Sequence, residues 1–131
     1  PFNGWSSMYP ETSGYIIPTF LEYGRRFNSD LEKSKAIILA DWLLSIQNSD
    51  GSFPGLLYTK NNHSKSIFNS AQIIIGLVSV YKYTSSKDYL NALLKCAKWI
   101  IENQNNDGSW SKYIINLGLH HRTILESHGQ F

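Results

Sequence analysis

Apolar residues recur at helical spacing in the first third of the chain, at Ile16, Ile17, Phe20 and Leu21. This spacing places them on one side of a helix and predicts a helix over Tyr15–Phe27. Proline has no backbone N–H to donate within a helix. We therefore expect Pro18 to lie near the first turn, where that donor is not needed.

A second helix is predicted to begin at the sequence Ser29-Asp30-Leu31-Glu32. In a capping box of this type the serine side chain accepts a bond from a free backbone N–H, and the glutamate reaches back to the cap. The helix continues to about Gln47. Its apolar positions are Ile37, Ile38, Leu39, Leu43, Leu44 and Ile46.

The same plan returns further along the chain, with a helix over Gln72–Thr84, a cap at Ser85 or Ser86, and a helix over Asp88–Gln104. Helices of this length joined by short turns pack as antiparallel neighbours. The pattern therefore predicts an all-α fold of about four helices, arranged as tandem antiparallel hairpins.

Both second helices end in nearly the same polar phrase, QNSDGSF from Gln47 and QNNDGSW from Gln104. An offset of 57 residues pairs the two phrases without a gap and also pairs Trp42 with Trp99. The Asp-Gly turn allows the positive φ that closes a helix. The chain thus contains an internal repeat, with units of about 14–57 and 71–114 in a single domain spanning 1–131.

Bulk properties narrow the class of protein. The formal net charge of +2, without a run of basic residues, excludes a typical nucleic-acid-binding protein. The longest apolar run, Ile73–Tyr81, is about half of what a membrane span requires. Cys96 lies in a helical apolar pattern and is predicted to be a buried, inert thiol.

The first residues bear on the origin of the chain. It opens on Pro1 without an initiator methionine and shows no signal peptide, so we expect it to be part of a longer protein. The sequence does not fix a compartment, although a cytoplasmic location is favoured.

The repeated phrases carry a resemblance to a known superfamily. Trp42 or Trp99 followed by Gln-x-x-Asp-Gly-Ser and an aromatic residue resembles the QW repeat of squalene–hopene cyclases and their relatives. That superfamily of terpenoid cyclases and protein prenyltransferases folds as an α/α toroid. The resemblance covers roughly Gly14 to Trp110 and implies that the chain is an incomplete toroid, because a complete one has more than four helices.

Two further stretches, WSSMYPETSGYIIP from Trp5 and FNSAQ from Phe68, resemble segments of poorly characterised microbial toroid proteins linked with surface-polysaccharide biosynthesis. This second resemblance implies a carbohydrate-processing or carbohydrate-binding domain. The alternatives are a cyclase-like or prenyltransferase-like enzyme relative and a non-catalytic helical repeat scaffold. The sequence does not decide whether the protein is an enzyme.

The candidate site lies where the two units are expected to begin. The repeat offset places Thr12–Tyr15 and Asn69–Gln72 at matching positions before the first helix of each unit, on one rim of a toroid. The candidate catalytic residues are Glu11 and Tyr9, with Glu11 as the general acid or base. The candidate substrate-binding residues are Trp5, Tyr15, Asn69, Gln72, His121 and Arg122. Serine and asparagine at these positions also suit plain helix caps.

Other chemistry is disfavoured by the residues present. The Asp-x-Asp-Asp motif of protonating terpene cyclases is absent, and Cys96 has no histidine near it in sequence to form a zinc site. With Gly51 as the sixth residue of a calcium loop, the first would be Ile46, which has no ligand atom. We therefore expect no metal and no cofactor. Open repeat ends also lead us to expect a homo-oligomer that associates through exposed helical faces.

Overall fold

The computed structural model describes residues 7–61 and 64–113. It contains four α-helices, α1 (Pro10–Arg26), α2 (Asp30–Ile46), α3 (Ile67–Thr84) and α4 (Lys87–Glu102). Within the described ranges, β-structure is limited to one isolated bridge between Pro54 and Lys65. The all-α prediction with about four helices is confirmed. No described helix is both long and apolar enough to cross a membrane.

The first helix of each unit begins earlier than the apolar periodicity predicted. α1 begins at Pro10 rather than Tyr15, and α3 begins at Ile67 rather than Gln72. Proline suits the first helical position, where no intrahelical donor is needed. Ser66 caps α3, since its hydroxyl accepts the backbone N–H of Asn69 at 3.1 Å. The expected starts were wrong because small or polar residues, Thr12 and Ser13 in α1 and Asn69 and Ser70 in α3, interrupt the apolar periodicity near each helix start.

Pro18 lies in the interior of α1, so the expectation that it sits in the first turn was also wrong. A proline at this position cannot donate to the carbonyl of Gly14, four residues earlier. That oxygen faces α3, because a Cβ built on Gly76 would lie 2.3 Å from it. The helices therefore approach each other closely at Gly14 and Gly76.

The second helix of each unit begins close to its predicted position. At α2 the Ser29 hydroxyl donates to the Glu32 carboxylate, and its side chain makes no bond to the backbone of the first turn. The predicted capping box is therefore only half right, since the two residues bond to each other instead. At α4 the cap is Ser86, whose hydroxyl accepts the backbone N–H of Asp88 at 3.3 Å.

The helices are arranged as two hairpins side by side. α1 packs against both α2 and α3, α3 packs against α4, and α2 contacts α4 much less. Gly14 lies against Ile73 while Ile17 reaches Gly76, so α1 and α3 are parallel. α2 and α4 also share one direction, and the Tyr89 hydroxyl joins them by donating to Asp41 at 2.6 Å. The core between the hairpins is built from Ile17, Ala36, Ala40, Leu43, Phe53, Ile73, Leu77, Val80 and Cys96.

The repeated polar phrases form two corners, the first over residues 47–53 and the second over 104–110. In the first, the backbone N–H of Asn48 donates to the Ser52 carbonyl at 2.9 Å, and the N–H of Gly51 donates to the Asn48 carbonyl at 2.9 Å. The Ser52 hydroxyl donates to Asp50 at 2.7 Å, and the Gln47 amide donates to the Gly51 carbonyl at 3.0 Å.

The second corner makes the same bonds one repeat later. Asn105 and Gly108 make the two backbone bonds, and the Ser109 hydroxyl donates to Asp107 at 2.7 Å. The Gln104 amide donates to the Gly108 carbonyl at 2.7 Å. Both glycines have positive φ, 97° at Gly51 and 87° at Gly108. The repeated letters therefore encode one hydrogen-bonded turn, built twice.

Candidate functional site

Those residues singled out by the sequence that the structure describes lie toward the N-terminal end of the parallel pair α1 and α3. Tyr9 is the N-cap residue of α1, and Glu11 stands in its first turn. The expectation that the matching segments precede the helices was wrong, because Ser13 and Asn69 lie inside them. Since Gly14 lies against Ile73, one turn back places the start of α1 level with Asn69.

Glu11 has a mixed environment between protein and solvent. Its side chain is partly buried, and this burial raises the pKa of the carboxyl above its ordinary value. Burial disfavours the charged form, so Glu11 keeps its proton to a higher pH than an exposed glutamate does. Glu11 can therefore exchange a proton with a ligand at a higher pH than an exposed glutamate can.

Asn69 is buried directly behind the cap of α3, with 1% of its surface exposed. Its side-chain oxygen accepts the hydroxyl of Ser66 at 2.9 Å. Its side-chain nitrogen is buried and has no hydrogen-bond partner among the described residues. An unpaired buried amide nitrogen costs free energy, so Asn69 is an unsatisfied polar group in the described part of the molecule.

The other predicted binding residues fall into two groups. Tyr15 is 45% exposed on α1, and Gln72 is partly exposed on α3. Trp5, His121 and Arg122 lie outside the described residues. The structure therefore brings Tyr9, Glu11, Tyr15, Asn69 and Gln72 onto the N-terminal halves of two neighbouring helices.

Sequence reasoning missed the role of Ser70, which is fully buried. Its hydroxyl accepts the backbone N–H of Phe53 at 3.0 Å, and its carbonyl accepts the Cys96 thiol at 3.5 Å. Ser70 thus ties the first corner to α3 and α4. The missed signal was Ser66-x-x-Asn69, a capping pattern that would have moved the start of α3 and placed Ser70 within the helix.

Cys96 provides a test of this packing. The thiol is fully buried, and burial raises its pKa to about 12. Only the thiolate reacts with disulfide reagents, so Cys96 is expected to resist labelling at pH 8 in the folded protein. Labelling followed at 412 nm with an aromatic disulfide should proceed at the rate of unfolding, whereas the chain in urea should react at once. Immediate stoichiometric labelling of the folded protein would contradict the packing.

Two further features do not coincide with these residues. A depression of about 400 Å³, open to solvent, lies on the C-terminal half of α1 and is lined by Pro18, Thr19, Glu22, Tyr23, Arg26 and Phe27. It has no buried polar group to orient a ligand, so we place the candidate site at the other end of α1. Among residues 7–61 and 64–113, no three His, Cys, Asp or Glu side chains converge as a metal site would require.

The chain was compared with family models, curated proteins and solved structures. None of the three comparisons gives a match. The function must therefore be argued from the residues and their geometry.

Proposed function

We propose that the chain is part of an α/α-toroid domain that binds or processes carbohydrate, with its site at the N-terminal ends of α1 and α3. One observation carries this proposal. A partly buried carboxyl, Glu11, lies at the same end of the parallel helix pair as Asn69, whose amide nitrogen is buried without a partner. Glu11 can accept a sugar hydroxyl at the surface, and the Asn69 amide would add a donor if its side chain turned toward the ligand.

The surrounding side chains fit the same ligand class. Tyr9 and the exposed Tyr15 supply aromatic rings, which pack against the apolar faces of sugar rings. Glu11 can accept a hydroxyl hydrogen when ionised or deliver a proton when neutral. Two carboxylates facing one bond would be needed for standard glycoside hydrolysis, and Glu11 alone supports binding more directly than cleavage.

The close approach of α1 and α3 supports the toroid part of the proposal. Glycines bring α1 and α3 together, while α2 and α4 contact each other far less. Repeats spaced more tightly on one side than on the other generate curvature. Further hairpins added in the same way would curve with α1 and α3 on the concave side, with Glu11 in the first turn of a concave-side helix.

The direct test is titration with oligosaccharides, including uronic-acid oligomers, followed by NMR chemical shifts. Glu11→Gln should weaken binding at least about tenfold, because a hydrogen bond to a charged group is lost. Glu22→Gln is the matched control on the same helix, since Glu22 is exposed and pairs with Arg25 at 2.7 Å. Absence of binding to any sugar, or equal losses in both variants, would refute the proposal.

The pH dependence of binding follows from the raised pKa of Glu11. A carboxylate accepts hydroxyl hydrogens, whereas the protonated form has lost part of this capacity. Affinity should therefore fall as the pH decreases through the raised pKa of Glu11, and Glu11→Gln should remove this dependence.

A second function, a helical repeat scaffold, is favoured by a different observation. The first corner is fastened onto α4 through the Gln47 amide, which donates to the Ala92 carbonyl at 2.8 Å. Repeats that clip together in this way build extended surfaces without any catalytic group. A scaffold would leave Glu11→Gln without effect on ligand or partner binding.

A further inference from the structure

We propose that the second corner is a docking surface for α2 of a second copy of this chain, so that copies associate head to tail. The proposal starts from an asymmetry between two turns that share their internal hydrogen bonds. The first corner is covered by the neighbouring hairpin. The second corner is exposed in the part of the chain that the structure describes.

The covered corner shows what such a turn binds. The Gln47 amide uses one N–H for the Gly51 carbonyl at 3.0 Å and the other for the Ala92 carbonyl on α4 at 2.8 Å. Gly51 lies so close to α4 that an added Cβ would be 2.4 Å from the Lys95 carbonyl. The first corner therefore contacts α4 at two points, through the Gln47 amide and through Gly51. The two α4 carbonyls that it meets are about one helical turn apart.

The second corner presents the same two elements to solvent. The Gln104 amide uses one N–H for the Gly108 carbonyl, and the other has no partner among the described residues. Gly108 is exposed, and a Cβ built on it would meet only the Gln104 side chain, at 3.9 Å. The second corner therefore has the same internal hydrogen bonds as the first, and no described helix covers it.

The same chain carries a receiving surface on α2. The repeat offset that relates α4 to α2 places Lys35 at the position of Ala92 and Ile38 at the position of Lys95. Ile38 is 66% exposed and Leu31 is 62% exposed, two helical turns apart on α2 with the exposed Lys35 between them. Covering these two apolar side chains gains free energy.

Charge favours the same pairing. Lys35 brings a positive charge to the position where α4 has Ala92, and Asp107 brings a negative charge to the second corner. Hydrogen bonds from Ser109 hold the pKa of Asp107 below its ordinary value, so Asp107 is charged at neutral pH. Asp107 has no ion-pair partner within the described ranges, whereas its counterpart Asp50 pairs with Lys65. Lys35 pairs with Glu32 on its own helix at 3.4 Å in a partly exposed salt bridge, and a second copy would bring this cation to Asp107 as well.

Such an interface joins two different surfaces, so it propagates instead of closing as a two-fold dimer. Sedimentation velocity across a concentration series should show a mass that grows beyond two copies. Gln104→Ala should weaken association about threefold to tenfold, because it removes the hydrogen bond to α2 together with the bond to the Gly108 carbonyl that holds the corner. Ile38→Asp should weaken it by about tenfold or more, because a carboxylate would be buried facing Asp107. Ile38 is exposed, so this variant is expected to fold, which circular dichroism can check.

Mixing the two variants gives the decisive measurement. Gln104→Ala retains an intact α2, and Ile38→Asp retains an intact second corner, so the pair has one functional interface left. An equimolar mixture should form one-to-one dimers and stop there, with affinity close to that of the unmodified chain. The proposal would be overturned if the unmodified chain formed a symmetric dimer and mixing the two variants did not restore association. A chain that stays monomeric at concentrations of about 1 mM would also overturn it.

Discussion

Gly51→Ala is expected to lower the free energy of unfolding by about 3–5 kcal/mol, whereas Gly108→Ala should lower it by about 1–2 kcal/mol. Both glycines have positive φ, so an alanine side chain is strained to a similar degree at each. Only at Gly51 would the new Cβ also overlap the backbone of α4, 2.4 Å from the Lys95 carbonyl. Helix backbone cannot move aside as a flexible side chain can, so the corner must detach or shift.

Urea unfolding of the two variants measures this difference directly. The shared backbone strain cancels when the two losses are subtracted, and the remainder reports the docking of the first corner on α4. A domain of this size is stable by about 5–15 kcal/mol, so the Gly51 variant should unfold at a clearly lower urea concentration. Equal losses of unfolding free energy at the two glycines would show that the first corner does not pack against α4.

Gly76→Ala should destabilise the protein by about 2–4 kcal/mol through overpacking. In an exposed helix the same change would stabilise by about 1 kcal/mol, because glycine is a poor helix former. The sign of the change in unfolding free energy therefore decides whether Gly76 is packed against α1 or exposed. The new Cβ would lie 2.3 Å from the Gly14 carbonyl, forcing α1 and α3 apart.

Lys82→Ala is the matched control, since Lys82 is exposed on the same helix. It should change the free energy of unfolding by less than about 0.5 kcal/mol. Thermal and urea unfolding would both detect the loss in the Gly76 variant. A Gly76 variant as stable as the unmodified protein would mean that the two helices do not approach at this point.

The sequence predicts the helices well where apolar periodicity and turn residues agree. α2 and α4 lie within two residues of their predicted ends, because each terminates at an Asn-x-Asp-Gly turn. The starts of α1 and α3 were missed for a physical reason. Ser13, Asn69 and Ser70 are buried although they are polar, because each side chain makes a hydrogen bond within the fold. A hydrophobic pattern cannot register burial of this kind.

The sequence predicted the position of the candidate site better than the burial and hydrogen bonding of its residues. The repeat offset placed Tyr15 and Gln72 at matching positions, and the structure finds both on the N-terminal halves of parallel helices. It could not reveal that Asn69 is buried with its amide nitrogen unpaired, because that depends on how Ser66 closes the helix start. The nearly identical sequences of the two corners also could not show that the first is covered by α4 and the second is exposed.

The covered corner has a consequence for how this chain tolerates changes in length. Its amide and glycine must meet two carbonyls on the same face of α4, so their spacing along the chain is fixed to within a residue. An insertion or deletion between Gln47 and Gly51, or between Ala92 and Lys95, would move one contact away from the other. Length changes should therefore be tolerated in the loops outside these two short stretches and not within them.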